Sequence, residues 1–168
     1  MPNRIEQFGG RNLYQELLDL RDTQRERFRN GLWLISEEDI PWEINRQGKM
    51  KWYLHPGLGD VCINTQLFYM QELPTGSKSG RIHFQGGQCI LFLEGRGHTM
   101  LDGVRYDWES TDAMNVPLKT EGVVIQHFNE SSTERALFVV SEANMTDTLG
   151  VDRGSGFEQL ENCPEYGK

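Results

Sequence analysis

Residues 79–97 read SGRIHFQGGQCILFLEGRG. Two short runs rich in apolar residues, RIHF and QCILFLE, are separated by the glycine pair of QGG. Strands of four to eight residues with glycine turns between them are typical of antiparallel β-sheets. The same rhythm extends in both directions and predicts strands at 50–54, 61–73, 80–85, 88–94, 97–101, 104–108, 113–116, 123–129 and 136–142. Many short strands with tight turns predict a mainly β domain, either a sandwich or a barrel.

An N-terminal helix is predicted ahead of these strands. Leu13, Leu17, Leu20 and Phe28 recur near one helical face, and charged residues occupy the other. This pattern indicates a helix that lies on a surface with its charged face in solvent.

The chain divides into three predicted regions. Residues 1–41 form an N-terminal helical extension, residues 42–143 form the β domain, and residues 144–168 form a C-terminal tail. The tail is rich in Gly, Asp and Glu, and its segment GFEQLEN is expected to form at most a short helix.

Composition excludes several classes of partner. The chain has 168 residues, the size of one domain, and a formal net charge of -8. A net negative charge repels phosphate backbones, so no nucleic-acid partner is expected.

No apolar stretch approaches the length of a membrane span, and the first residues lack the apolar core of a secretory signal. Three widely separated cysteines favour free thiols in a reducing compartment. We therefore expect a cytoplasmic protein without a membrane partner.

The glycines and turns around the quoted stretch resemble those of cupins. The residues that carry the likeness are Gly80, Gly95, Gly97, Pro117, Gly122 and Asn129. It extends over about residues 42–142, and the segments GGRNLYQELLDLR and MKWYLHP resemble the N-terminal extension of single-domain cupins. The resemblance implies a single cupin-type antiparallel β-barrel or jelly roll with an N-terminal α-helix.

The metal ligands of that family are missing from their positions. Alignment on the QGG turn and Gly95 places Ile82 and Phe84 at the two positions where cupins usually carry histidine, and Gln88 at the glutamate. Counting from Gly122 places Ile125 at the last histidine. Ile and Phe have no lone pair for a cation, and neutral Gln does not replace a carboxylate. The sequence predicts no metal site and no other cofactor.

A shifted register would make His83 a ligand, with Arg81 in place of the second histidine. Successive side chains on a strand point to opposite faces, so His83 cannot share a face with Ile82 and Phe84. Burial of an apolar side chain contributes about 2 kcal/mol. We therefore predict that Ile82 and Phe84 face inward and that His83 faces outward.

His127 is the candidate for acid–base chemistry. It lies two residues after Ile125 and two before Asn129, so the three side chains share one face of a strand. One interpretation is a structural, hydrogen-bonded imidazole. The other is a histidine of near-neutral pKa that moves a proton of a bound substrate beside Gln88. The predicted catalytic residues are His127 and Gln88.

A ligand site is predicted inside the domain. Gln88, Ile90 and Phe92 should line the inner face of their strand, with Cys89, Leu91 and Leu93 outside. The expected ligand-binding residues are Ile82, Phe84, Ile90, Phe92, Ile125, Asn129 and Arg81, with Arg81 at the mouth.

Five further residues have other assignments. Trp52 and His55, with the neighbouring Tyr53, form either a lid or a packed aromatic plug. Asp112 and Glu142 are interpreted first as turn or strand-edge residues and second as acid catalysts.

Three functions remain open. The first is metal-independent binding of a small, largely apolar or aromatic molecule, with isomerase or lyase chemistry through His127. The second is a non-catalytic subunit whose apolar replacements fill the interior. The third is a metal-dependent dioxygenase, which would need His127, His83 or His55 to assemble an unusual site.

A homodimer is also expected. Exposed apolar residues would then be covered by the N-terminal helix or by a second copy; these residues are Trp33, Leu34, Ile35 and Trp42.

Overall fold

The computed structural model describes residues 3–152 and 155–168, and two antiparallel sheets form its centre. The strands are β1 (Glu43–Asn45), β2 (Gly48–Leu54), β3 (Gln66–Leu73), β4 (Arg81–Phe84), β5 (Gln88–Glu94), β6 (Arg96–Leu101), β7 (Val104–Glu109), β8 (Ala113–Val116), β9 (Val123–Asn129), β10 (Ala136–Ala143) and β11 (Phe157–Glu161). The helices are α1 (Arg4–Phe8), α2 (Leu13–Asn30) and α3 (Met145–Leu149), with a 3-10 turn at Glu37–Asp39. None of the described helices has the length and apolar character needed to cross a membrane.

The strands form a six-stranded sheet in the order β1-β2-β3-β10-β5-β8 and a five-stranded sheet in the order β11-β4-β9-β6-β7. This arrangement confirms the predicted mainly β, jelly-roll class. The two sheets do not close into a continuous β-barrel, because no paired strands join them within residues 3–152 and 155–168. Strands β1 and β8 form the edges of the six-stranded sheet, and β11 and β7 form those of the five-stranded sheet.

The hydrophobic core lies between the sheets. On β5, Ile90 and Phe92 are buried while Leu91 and Leu93 are exposed, as the alternation of side chains along a strand requires. The Phe92 ring stacks on Trp108 at a centroid distance of 4.1 Å. This packing fixes the inner face of β5 on which Gln88 also lies.

The glycine turn between β4 and β5 brings two segments unusually close. Gly86 has φ of +83°, and a Cβ atom there would lie 2.0 Å from the carbonyl oxygen of Pro117. Only glycine accommodates both the backbone conformation and this approach. The QGG signal therefore reflects a real requirement of the β4–β5 connection.

The C-terminal segment differs from the prediction. The residues of GFEQLEN were expected to form at most a short helix, but Phe157–Glu161 forms β11 and pairs antiparallel with β4. Gln159 pairs with Ile82, so the tail extends the five-stranded sheet. The competing influence is long-range: β4 offers a free edge, and pairing with it outweighs the weak local preference of this polar segment.

Helix α2 forms where the sequence predicts it. Asn12 caps its N-terminus by accepting a hydrogen bond from the Gln15 backbone N–H, and the helix ends before Gly31. None of its residues is buried, and Leu17 is 60% exposed. The helix therefore does not pack on a surface of its own chain as predicted.

The apolar residues after α2 are only partly covered within one chain. Trp33 contacts Phe28, yet it and Leu34 are 72% and 83% exposed. Ile35 is partly buried, and Trp42 packs beneath the ammonium groups of two lysines. The N-terminal helix thus does not provide the predicted cover.

Candidate functional site

A cavity of about 510 Å³ lies between the two sheets. Its walls are mainly apolar, with a few polar groups. The six-stranded sheet contributes Met50, Trp52, Leu67, Tyr69, Gln71, Gln88 and Glu142. The five-stranded sheet contributes Ile82, Phe84, Ile125, His127, Phe157 and Gln159.

The four residues aligned with the metal-ligand positions of cupins all face this cavity. Ile82 on β4 is the direct cross-strand partner of Ile125 on β9, and both line the cavity with Phe84 and Gln88. His83 points away, with Nε2 3.0 Å from the carbonyl oxygen of Glu121. The observed orientation is the one that strand alternation predicts. Because the cavity remains open, these side chains do not fill the interior. The alternative of a non-catalytic subunit with a filled interior is therefore not supported.

The four residues aligned with the ligand positions of cupins do not fit a mononuclear metal centre. Ile82, Phe84 and Ile125 offer no donor atom, and Gln88 is neutral. Among residues 3–152 and 155–168, no three His, Cys, Asp or Glu side chains come together as a metal-binding group.

The histidines named for an unusual metal site are separated. His83 lies outside the cavity, whereas His55 and His127 line it. Nδ1 of His55 accepts a hydrogen bond from the Gly57 backbone N–H at 3.0 Å, and Nδ1 of His127 is bonded to Thr99. The geometry therefore does not assemble the imidazole cluster that a metal-dependent dioxygenase would need.

Two buried hydrogen bonds fix the tautomer of His127. Trp108 Nε1 donates to the Thr99 hydroxyl oxygen at 3.1 Å, and this oxygen lies 2.7 Å from His127 Nδ1. The Thr99 oxygen can accept two hydrogen bonds, so the tautomer follows from where its own hydrogen goes. Among the described residues, His127 Nδ1 is the only acceptor to which the Thr99 hydroxyl is hydrogen-bonded, so this hydrogen is directed to Nδ1. Nδ1 is then the acceptor, and Nε2 carries the hydrogen. Nε2 has no hydrogen-bond partner among the residues that the structure describes.

Burial also determines the charge of His127. Loss of solvation lowers the pKa of the imidazole from 6.5 to about 3. Its ring packs against Phe138 and Phe92, with centroid distances of 4.9 and 6.3 Å. The expected near-neutral pKa is therefore wrong, because the apolar surroundings disfavour the cation. At neutral pH His127 is a neutral hydrogen-bond donor.

A second polar group lies on the facing sheet. Gln88 Nε2 donates to Glu142 Oε2 at 2.5 Å and approaches the Tyr69 hydroxyl at 3.4 Å. Burial raises the pKa of Glu142, and the hydrogen bond from Gln88 lowers it in part. Burial, and then the charge of Glu142, raise the pKa of Tyr69 well above 10.0.

Glu142 is a functional candidate that the sequence analysis assigned to a strand edge. It shares the inner face of β10 with Phe138 and Val140, the alternation that identifies core positions. This alternation is the sequence signal that places the Glu142 side chain on the inner face. The sequence favours the strand-edge interpretation because a carboxylate at the predicted end of a strand usually faces solvent.

Aromatic residues form one wall of the cavity. Trp52 packs against His55 and Tyr69, with centroid distances of 5.1 and 4.8 Å, and all three line the cavity. Tyr53 points to the other side of β2 and packs on Phe68. Trp52 and His55 therefore belong to the cavity wall, and Tyr53 does not.

Two of the predicted ligand-binding residues, Ile90 and Phe92, are fully buried in the core and do not line the cavity. Phe92 is covered by the ring of Trp108. These two residues support the wall from behind. Strand alternation gives the face of a residue but not its depth between two sheets.

Asn129 and Arg81 also lie outside the cavity. The Asn129 amide donates to three backbone carbonyls, including those of Leu73 and Glu134, and so fixes loops at the end of β9. Arg81 is exposed, with Nε 3.8 Å from a Glu161 carboxylate oxygen. Strand β11 was not predicted, and it pairs with β4 so that the Arg81 side chain lies beside this carboxylate and not in the cavity.

No protein-family model matches the chain, and no curated protein matches it. Several solved structures are similar to it. A salicylate 1,2-dioxygenase from Pseudoaminobacter salicylatoxidans aligns with a TM-score of 0.55 and 18% identity over 83% of this chain. The chain spans only 36% of the length of that dioxygenase chain.

Two smaller proteins align along most of their length. The polyketide cyclase RemF from Streptomyces resistomycificus has a TM-score of 0.55 and 14% identity over 67% of this chain and 79% of its own. An RmlC-like cupin from Shewanella frigidimarina has a TM-score of 0.52 and 16% identity over 67% of this chain and 91% of its own. Together with the two-sheet topology, these similarities show that the chain has a cupin-type jelly-roll fold.

Proposed function

We propose that the protein binds a small, largely apolar or aromatic organic molecule in the cavity between its sheets, without a metal ion. The observation that carries this proposal is the open cavity of about 510 Å³ lined by Ile82, Phe84 and Ile125. A volume of this size, with apolar walls and few polar groups, is typical of small-molecule sites. The donor set described above supports metal-independent binding.

The polar groups support acid–base chemistry of the isomerase or lyase type. His127 was predicted to move the proton, but a neutral imidazole with a pKa of about 3 accepts protons poorly at neutral pH. We assign proton transfer to Glu142, whose pKa is raised by burial toward the range useful for a general base. His127 Nε2–H would donate a hydrogen bond to an oxygen that gains electron density. In an isomerisation, Glu142 takes a proton from one atom of the substrate and returns it to another.

The similar structures support this proposal only through their fold. A salicylate dioxygenase and a polyketide cyclase are both named for chemistry on small organic molecules, so the fold accommodates such ligands. The specific residues of the present cavity carry the rest of the argument.

Isoleucine methyl NMR tests the binding proposal directly. Ile82 and Ile125 line the cavity, whereas Ile44 is 59% exposed on the outside and serves as an internal control. Addition of 2-naphthol, a neutral aromatic probe, should shift the δ1-methyl signals of Ile82 and Ile125 in a saturable way and leave Ile44 unchanged. Equal shifts at all three residues, or shifts at Ile44 alone, would show that the cavity does not bind such molecules.

A further inference from the structure

The polar groups of the cavity form two poles of opposite hydrogen-bonding character. On β9, His127 presents Nε2–H, because Thr99 holds the other ring nitrogen as an acceptor. On the facing sheet, Glu142 has one carboxylate oxygen bonded to Gln88. Its second oxygen, Oε1, has no hydrogen-bond partner within the described part of the chain. One pole therefore donates and the other accepts.

The poles lie at different levels of the cavity. The His127 ring packs against Phe138, and Glu142 follows Phe138 by four residues on β10. At a rise of about 3.3 Å per residue, these two positions on β10 are about 13 Å apart. A ligand that satisfies both poles is elongated, with the donor pole near the Phe138 end and the acceptor pole near the Trp52 and Tyr69 end.

The charge of the cavity restricts the ligand further. Glu142 has no cationic partner among the described residues, since its carboxylate is hydrogen-bonded only to Gln88 and forms no ion pair. Arg46 borders the cavity, but its guanidinium lies over the Tyr166 ring at 6.0 Å. A carboxylate ligand would be desolvated near Glu142 without a cation to stabilise it. An uncharged ligand avoids this cost.

From this geometry we infer that the cavity selects uncharged aromatic molecules with a hydrogen-bond acceptor at one end and a donor at the other, such as hydroxylated aromatic ketones. The carbonyl oxygen accepts from His127 Nε2–H, the hydroxyl donates to Glu142 Oε1, and the ring packs between Ile82, Ile125 and Trp52. This inference rests on the proposed function and names the ligand class for the same site.

Calorimetric titration with four matched one-ring probes tests the inference. 4'-Hydroxyacetophenone carries both groups, acetophenone lacks the donor, 4-ethylphenol lacks the acceptor, and 4-hydroxybenzoate is an anion. We expect 4'-hydroxyacetophenone to bind about tenfold more tightly than each of the other three. A buried donor or acceptor left without a partner weakens binding by about this factor.

Two variants assign each preference to its pole. His127→Phe keeps a ring against Phe92 and Phe138 but removes the donor, so the preference over 4-ethylphenol should disappear while that over acetophenone remains. Glu142→Leu removes the acceptor and should give the reverse pattern. His83→Phe is the matched control, because His83 lies on the outer side of β4 and should leave all preferences unchanged.

The outcomes separate the inference from the proposed function. Equal affinities of the wild type for all four probes would overturn the ligand class, even if 2-naphthol still shifts Ile82 and Ile125. Lack of binding by all four probes, with 2-naphthol bound, would overturn it as well. Lack of binding by 2-naphthol too would reject the binding function itself. If a variant fails to fold, the preferences of the wild-type protein still decide the matter.

Discussion

His127 and Glu142 lie on facing walls of one cavity, and burial makes both of them tend toward the neutral form. Burial lowers the pKa of the imidazole and raises that of the carboxyl group, because each charged form loses solvation. The neutral imidazole is then a donor at Nε2. Glu142 is the group whose charge changes nearer neutral pH, which gives the two residues different roles.

The effect of Glu142 on stability can be predicted with its sign. Its folded pKa is raised above 4.5, so between 4.5 and the raised value the native state binds more protons than the unfolded chain. The free energy of unfolding contributed by this group therefore falls as pH rises through that window. Glu142→Gln removes this pH dependence. As pH rises through the window, the free energy of unfolding of the variant should therefore increase relative to that of the wild type, by about 1.4 kcal/mol for each unit of the pKa shift. Urea unfolding between pH 4 and 8 measures the difference.

Glu94 on β5 is a control of opposite sign. Its ion pair with Arg135 lowers the pKa of the Glu94 carboxyl, so its stabilisation is present above 4.5 and is lost as pH falls. Glu94→Gln should therefore lose stability relative to the wild type at neutral pH, by a small amount because the pair is exposed. A Glu142→Gln variant that is less stable than the wild type at every pH would contradict the assignment of a buried, unpaired carboxyl group.

The sequence predicts the direction of these side chains better than their chemistry. Alternation along β4 places Ile82 inward and His83 outward, since a strand has a period of two. The tautomer of His127 depends on Thr99 and Trp108, which join it from two other strands. Such hydrogen bonds between distant residues leave no periodic signal, so the pKa of His127 could not be read from the sequence.

At the scale of elements, β11 completes the cavity wall. Gln159 on this strand accepts a hydrogen bond from the Gln47 side chain at 2.8 Å and donates to the Glu161 carbonyl at 2.7 Å. Beyond β11, Cys163 is buried, and its thiol donates to the Asn45 carbonyl at 3.3 Å. The C-terminal segment is thus fastened to the β1–β2 turn as well as to β4.

Reactivity of Cys163 with a thiol reagent should report the docking of this segment. In a Cys62→Ser, Cys89→Ser background, labelling of the buried Cys163 requires the segment to detach. Gln159→Ala removes hydrogen bonds that hold it and should accelerate labelling about tenfold, the effect of losing about 1.4 kcal/mol. Glu158→Ala changes an exposed neighbour on the same strand and should leave the rate unchanged. Equal rates for both variants would show that Gln159 does not fasten the segment.

The elements that the sequence predicts are those with strong local patterns. Strands β5, β8 and β9 begin and end at the predicted residues. Strand β11 was missed because its pairing partner, β4, lies more than 70 residues earlier in the chain. Strand β3 begins five residues later than predicted, at Gln66, because the preceding residues form bends and an isolated bridge between Val61 and Leu32. Pairing over long distances sets these boundaries, and local composition does not encode it.

At the scale of the whole molecule, one surface lacks the cover that apolar side chains normally receive. Helix α2 exposes Leu13, Leu17, Leu20 and Phe28 on one face, each at more than half of its maximum. Eighteen residues form a marginal helix in water unless an apolar face is packed. The periodicity of the sequence predicts the helix and its apolar face. It does not predict what covers that face, because the covering surface can belong to another chain.

We expect a second copy of the chain to cover this face and form a homodimer. Leu17→Glu places a charge in the centre of the apolar face and should shift the protein toward the monomer, with at least a tenfold weaker dimer in sedimentation equilibrium, because a buried unpaired charge costs several kcal/mol. Gln15→Glu adds the same charge on the opposite, solvent-facing side of α2 and should leave the dimer intact. A wild-type protein that sediments as a monomer at 100 µM would show that no second copy binds there. An unchanged dimer in Leu17→Glu would place the interface on another surface of the molecule.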